Sequence, residues 1–208
     1  IQLSSDGHIV LIHDQTVNRT TSGQGAVSDM SLVQLQKLDA GYTWQDENKP
    51  NGFPFRGKNI SIPTLKTIFE RFPKQAMSIE IKQDSSELAL KFCKLLKQYH
   101  KEQALVVSSF YHSNLLAFRE ACPTVKTSAS GQEAKRYVIA SKVGLGWLFK
   151  PDAQVLQLPM VSGSTSVLTA RFIRQAHEHG FRVDAWTINN KTDMQHLMSL
   201  GIDGLITD

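Results

Sequence analysis

Phe181-Arg182-Val183-Asp184-Ala185-Trp186-Thr187-Ile188-Asn189-Asn190, then Lys191 to Leu200, then Gly201-Ile202-Asp203-Gly204-Leu205-Ile206-Thr207-Asp208, reads as strand, helix and strand in immediate succession. Residues 182 to 188 and 203 to 207 carry the β-branched and apolar run of a strand. The helix over 191 to 200 has both of its end signals: the Asn190 side chain can accept from first-turn N–H groups, and Gly201 can take the positive φ that stops it. The joint before it repeats the pattern, with Thr169 or Ser166 capping a helix over 167 to 179 that Gly180 ends. Strands joined through capped helices lie parallel, because a helical crossover returns the chain to the same edge of the sheet.

Working outward, the same alternation fills the chain. Residues 1 to 3 and 8 to 13 flank a Ser-Asp-Gly turn, and further strands are expected at 77 to 82, 104 to 109, 125 to 129 and 154 to 159. Helices are expected at 31 to 38, 64 to 72, 85 to 100, 112 to 121 and 131 to 140. This makes about seven core strands, one short of a closed eight-stranded barrel. A doubly wound open sheet is the competing geometry, but neither a Gly-x-Gly-x-x-Gly turn nor a Walker A loop marks one. The reading is one α/β domain over residues 1 to 208, with an Asn-, Pro- and Gly-rich insertion at about 42 to 59. The opening Ile1-Gln2-Leu3 reads as a strand already under way, so a segment upstream of it is expected.

Composition excludes more than it assigns. With 208 residues, 41% hydrophobic and 20% charged, the chain can bury one sizeable core. Its net charge of +4 comes from scattered Lys and Arg, so a nucleic-acid partner is not expected, while an anionic substrate is compatible. No run of about 18 apolar residues suits a membrane span, and no stable membrane insertion is expected. Cys93 and Cys122 have neither metal-site nor redox spacing and read as buried, reduced fillers.

Three places can carry chemistry. In Met77 to Lys82, alternation puts Ser78, Glu80 and Lys82 on one face and Ile79 and Ile81 on the other, so two opposite charges point inward near a strand's C-terminal end. The competing reading is a buried ion pair, although burying both charges costs several kcal/mol without guaranteeing stability. His13-Asp14 ends the strand Ile9 to Ile12, which suits general acid or base work, whereas an isolated pair would more often just begin a turn. Trp186 shares the face of Asp184 and can wall a pocket, though a strand Trp is more often core. Elsewhere the signals are bland. His177 and His179 do not converge on one helix face, Gly144 and Gly146 make no phosphate loop, and no Gly-x-Ser-x-Gly elbow occurs.

Taken in order, these landmarks are specific. Ser5-Asp6-Gly7-His8-Ile9-Val10-Leu11-Ile12-His13-Asp14 is followed by Asn18-Arg19-Thr20-Thr21, Gly23, Gly25 and Leu38-Asp39-Ala40-Gly41. Ile62-Pro63-Thr64-Leu65, Glu80-Ile81-Lys82, Trp186-Thr187-Ile188-Asn189 and Gly201 to Asp208 complete the set. The chain resembles the glycerophosphodiester phosphodiesterase family over essentially its whole length.

The resemblance implies a (β/α)8 TIM-type barrel lacking its first β/α unit, with a His-Arg-Gly strand end and a Glu-x-Asp pair expected before Ile1. It makes His13 the second catalytic histidine, Glu80 a ligand of a divalent metal (Mg²⁺ or Ca²⁺), Lys82 a phosphate contact with a catalytic part, and Trp186 the substrate-pocket aromatic. The implied reaction converts a small-molecule glycerophosphodiester to an alcohol and glycerol 3-phosphate, in glycerol and lipid metabolism. Similarity to the compact bacterial type implies a cytoplasmic location and makes the segment 42 to 59 a cover over the glycerol side. The alternatives are a barrel phosphodiesterase acting on lysophospholipids and a non-catalytic binding barrel. Exposed apolar loops would favour the first, and the sequence shows no strong patch of that kind.

Overall fold

A computed structural model describes residues 1–46 and 52–208, and the chain falls into two compact units, Ile1–Ala104 and Leu105–Asp208. In the first unit, strands β1 (Gln2–Leu3) and β2 (Ile9–Val10) form an antiparallel hairpin with Gln2 opposite Val10 and Leu3 opposite Ile9. Ser4 and Asp6 build its turn. The Ser4 hydroxyl donates to Asp6 (2.6 Å) and accepts from the His8 N–H (2.9 Å), while Gly7 takes the positive φ of 79° that a side chain would resist.

Helix α1 (Leu32–Gln36) begins in a reciprocal capping box between Ser31 and Gln34, and α2 (Leu65–Arg71) is capped by Thr64. Val10, Val17, Val27, Leu35 and Ile62 make a core beneath the hairpin. Strand β3 (Met77–Glu80) is followed by α3 (Ser86–Gln98), which Ser85 caps and which buries Leu88, Ala89, Phe92 and Leu96. Ile79 and Ile81 are buried as alternation requires.

The second unit is a run of parallel strands joined by helices. Strand β4 (Leu105–Ser108), helix α4 (His112–Ala121), strand β5 (Lys126–Thr127), helix α5 (Gly131–Lys142) and strand β6 (Val155–Pro159) follow one another. A small hairpin, β7 (Val161–Ser162) and β8 (Thr165–Ser166), precedes helix α6 (Ala170–Glu178), strand β9 (Arg182–Trp186), helix α7 (Lys191–Ser199) and strand β10 (Gly204–Leu205).

Strand β4 pairs with β5, β6 with β9 and β9 with β10, all parallel, and a parallel bridge from Ser128 to Val155 joins β5 to β6. Spatial order therefore follows chain order without reversal. This is the wall of a β/α barrel; a doubly wound sheet must reverse at its switch point.

The expected helices and strands are present, with ends trimmed by a few residues. Thr169, rather than Ser166, caps α6, because the intervening chain is taken up by the β7–β8 hairpin. Asn190 accepts from the N–H groups of Thr192 and Asp193, and Gly180 and Gly201 have φ of 84° and 85° at the helix ends. The core packs Leu156, Leu158, Val183 and Ala185 against Tyr137, Phe172, Ile173, Ala176 and Leu197.

Part of the expected insertion, residues 47–51, lies outside the described residues. On either side of it, the Arg56 guanidinium stacks over the rings of Tyr42 (4.2 Å) and Phe53 (3.6 Å), and Trp44 meets Phe55 (4.8 Å).

Two sequence readings are corrected. Cys93 and Cys122 are buried, but neither is a free thiol, because oxidation state depends on what stands beside each sulfur and sequence separation does not give that. An exposed apolar patch does exist, at Val143, Leu145, Trp147, Leu148 and Phe149. In sequence it looks like an apolar helix end, which packing would ordinarily bury. Among the described residues no helix is long and apolar enough to cross a membrane.

Candidate active site

Glu80 and Lys82 flank Ile81, just after β3, where Ile1, just before β1, meets the chain. The Ile1 nitrogen donates to the Glu80 carbonyl (2.5 Å) and the Lys82 N–H donates to the Ile1 carbonyl (3.1 Å), the two bonds of a parallel bridge opposite Ile81. With Ile81 fully buried on one face, Glu80 and Lys82 are left together on the other. Their side chains form an ion pair, Lys82 Nζ to Glu80 Oε2 at 2.7 Å, each about a quarter exposed.

The other oxygen, Glu80 Oε1, is buried and has no hydrogen-bond partner among the described residues. A buried carboxylate oxygen left in that state costs about 1–3 kcal/mol or more, so the position suits an acceptor awaiting a cation. A hard oxygen donor of this kind fits Mg²⁺ or Ca²⁺. Among the described residues no group of three His, Cys, Asp or Glu converges on a metal position.

His13 lies at the end of the hairpin's return arm. Residue Gln2 holds it there: the Gln2 amide donates to the carbonyls of His13 and Asp14, while its neighbour Ile1 sits between Glu80 and Lys82. Two adjacent residues thus tie the backbone of His13 to the C-terminal end of β3, the end where barrel enzymes place their sites.

The His13 side chain is 69% exposed, with Nδ1 2.8 Å from Asp14 Oδ1. Asp14 also accepts from Arg19, Nε at 2.6 Å and Nη2 at 3.0 Å. Arg19 first, and then His13, hold the Asp14 carboxyl well below the ordinary carboxylate range. A carboxylate at Nδ1 puts the hydrogen there and the lone pair on Nε2, the state a general base needs.

Trp186 belongs to the second unit. It ends β9, is half-buried, and meets the exposed ring of Phe110 edge-on, with centroids 5.8 Å apart and planes at 86°. Phe110 follows β4, which is not a neighbour of β9 in the strand order, so rings from separate strands meet above the C-terminal strand ends. On the same face, buried Asp184 accepts from Arg182 Nε (2.8 Å), and Gly204 opposite it leaves room, since a Cβ there would run into the Asp184 carboxylate and the Arg182 guanidinium.

Sequence reasoning did not single out Gln2 or Phe110, and it quoted Arg19 within a motif without giving it a role. An aromatic directly after a strand was available as a signal for Phe110, and an arginine five residues after Asp14 for Arg19, whereas Gln2 acts through contacts that no local pattern encodes. A polar groove beside the hairpin turn, lined by Ser4, Asp6, Gln83 and Lys91 among others, contains none of the expected site residues.

Comparison with known proteins gives the family of the chain. A sequence model of the glycerophosphoryl diester phosphodiesterase family matches residues 1–208. The chain belongs to that family. It is 30% identical to a glycerophosphodiester phosphodiesterase of Caldanaerobacter subterraneus, over all of this chain and 79% of the relative.

Among solved structures it resembles a glycerophosphoryl diester phosphodiesterase domain from Mycobacterium tuberculosis, with a TM-score of 0.85 at 17% identity, covering 99% of this chain and 82% of that one. It also resembles an Oleispira antarctica phosphodiesterase in complex with the product sn-glycerol-3-phosphate, with a TM-score of 0.74 at 22% identity over 99% and 78% of the chains. The fold class is the TIM-type α/β barrel expected from the sequence, and the chain is an enzyme of the phosphoric diester hydrolase kind.

Proposed function

We propose that this phosphodiesterase cleaves glycerophosphodiesters to an alcohol and glycerol 3-phosphate, using His13 as one of two acid/base histidines and Glu80 as a ligand of Mg²⁺ or Ca²⁺. The observation that carries the reading is the buried, unpartnered Glu80 Oε1, held against Lys82 at the strand end to which Gln2 ties His13. A non-catalytic barrel has no need for an orphaned carboxylate oxygen. When bound, a divalent cation supplies charge that draws in the anionic diester and stabilises the transition state.

The chain's own residues do the rest. Lys82, paired with Glu80 at 2.7 Å, shares its ammonium with a phosphoryl oxygen in this reading. His13, with Asp14 at Nδ1, presents Nε2 for one proton transfer, either from the attacking glycerol hydroxyl or to the departing alkoxide. In the reading the resemblance implies, that hydroxyl attacks phosphorus, the headgroup leaves and water opens the resulting cyclic phosphate, with a histidine upstream of Ile1 as the second proton carrier. In the same reading that the resemblance implies, Trp186 is the substrate-pocket aromatic, and Phe110 stands edge-on beside it.

The test is His13→Ala in the full-length protein, assayed on glycerophosphocholine and on an aryl phosphodiester of glycerol. Loss of about 10²- to 10⁴-fold in kcat with the first substrate is expected, with a smaller change in KM. Recovery of most of the rate with the aryl substrate marks His13 as the acid for the leaving group, and a persistent deficit marks it as the base. Unchanged turnover of folded protein with both substrates removes His13 from the reaction.

A further inference from the structure

The patch after α5 is built to face outward. Gly146 is buried, and a Cβ there would strike Ser141 Oγ and press on the rings of His179 and Tyr137. Tyr137 is itself fully buried and hydrogen-bonded to His179 Nδ1 at 2.7 Å. The backbone is thus pinned at Gly146 against a space already filled, and the turn that begins there (Gly146–Phe149) has nowhere inside to put its side chains. Trp147 is 63% exposed, Leu148 52% and Phe149 53%, with Val143 and Ile139 exposed beside them at the end of α5.

Along this stretch of chain the charges have one sign, although Glu178 at the end of α6 lies near Tyr137. From Ala134 to Pro151 the ionisable side chains are Lys135, Arg136, Tyr137, Lys142 and Lys150, with no carboxylate among them. Lys135, Lys142 and Lys150 are exposed. Lys135, Ile139 and Lys142 also fall on one helical stripe that leads to the turn. Of the flanking acids, Glu133 is already engaged by Arg119 at 2.7 Å, and Asp152 lies beyond the turn.

We propose that this surface docks on an anionic phospholipid bilayer, with Trp147, Leu148 and Phe149 entering the interface and the lysines meeting the headgroups. Trp with Leu and Phe, rimmed by Lys, is the composition of an interfacial membrane contact. Protein interfaces, by contrast, are depleted in Lys. The turn lies on the side of the unit where β6 begins, whereas Phe110 and Trp186 stand at the opposite, C-terminal ends of the strands. Docking therefore leaves those strand ends facing water, which suits capture of soluble diesters at a membrane surface.

Co-sedimentation of the full chain with vesicles tests this, using phosphatidylcholine alone and phosphatidylcholine mixed with phosphatidylglycerol. Binding is expected only to the mixed vesicles, weakening as salt is raised. It should fall at least about tenfold both in Trp147→Ser/Phe149→Ser and in Lys142→Glu/Lys150→Glu. Hydrolysis of soluble substrate by these variants should match the parent. The proposal is overturned if the parent binds neither vesicle at low salt, or if the Trp147/Phe149 variant binds as well as the parent. It is equally overturned if the parent ignores vesicles but self-associates in sedimentation velocity through this patch.

Discussion

Glu80→Gln separates the ion pair with Lys82 from the task assigned to the orphaned oxygen. Without metal, the substitution loses a partly exposed pair, about 1 kcal/mol or less. It also replaces a buried carboxylate by a neutral amide, which costs less to keep from water, a relief of comparable size. The two changes nearly cancel, so in chelator the melting temperature of the full-length protein should move by no more than about 2–4 °C, the usual effect of about 1 kcal/mol in a chain of this size.

Added Mg²⁺ or Ca²⁺ should separate the two proteins. At a concentration of about 100 times Kd the cation stabilises the parent by about 2.7 kcal/mol, which corresponds to roughly 5–11 °C. The amide keeps the shape but lacks the charge that holds a hard cation, so most of that rise should vanish. Scanning calorimetry of both proteins, in chelator and across a metal titration, reads each quantity. The same metal-dependent rise in parent and variant would refute Glu80 as a ligand, and a large fall in chelator would show instead that the Glu80–Lys82 pair is structural.

The Asp14 carboxyl is held below its usual 3.8 by Arg19 and then by His13, so its contribution to stability is present above that value and is lost as the pH falls through the depressed folded value. Melting curves of parent and Asp14→Asn should therefore differ at neutral pH and converge in acid, and a constant difference across the range would refute the linkage. Gly204→Ala places a Cβ against the Asp184 carboxylate and the Arg182 guanidinium, and should cost about 1–3 kcal/mol in urea denaturation. Adding Asp184→Ala should return much of that loss, and strictly additive costs would show that Asp184 is not the obstacle.

Much of this protein could be read one residue at a time. Alternation in Met77 to Lys82 placed Glu80 and Lys82 together against buried Ile79 and Ile81, because a strand's side-chain period is fixed by its backbone. Asn190, Thr169, Gly180 and Gly201 marked helix ends, because caps are contacts within a few residues. The family, too, was legible, since its motifs are strings of neighbours.

Tertiary structure decided what depends on distant partners. Gln2 reaches Asp14, its neighbour Ile1 meets Glu80, and Phe110 meets Trp186, across separations in the chain that local periods do not encode. The outward turn at Trp147 was decided the same way. Its residues are as apolar as a core segment, and they face water only because Tyr137, His179 and Ser141 already occupy the space behind Gly146. Apolar character fixes what a side chain gains by burial, but whether room remains for it is settled by packing.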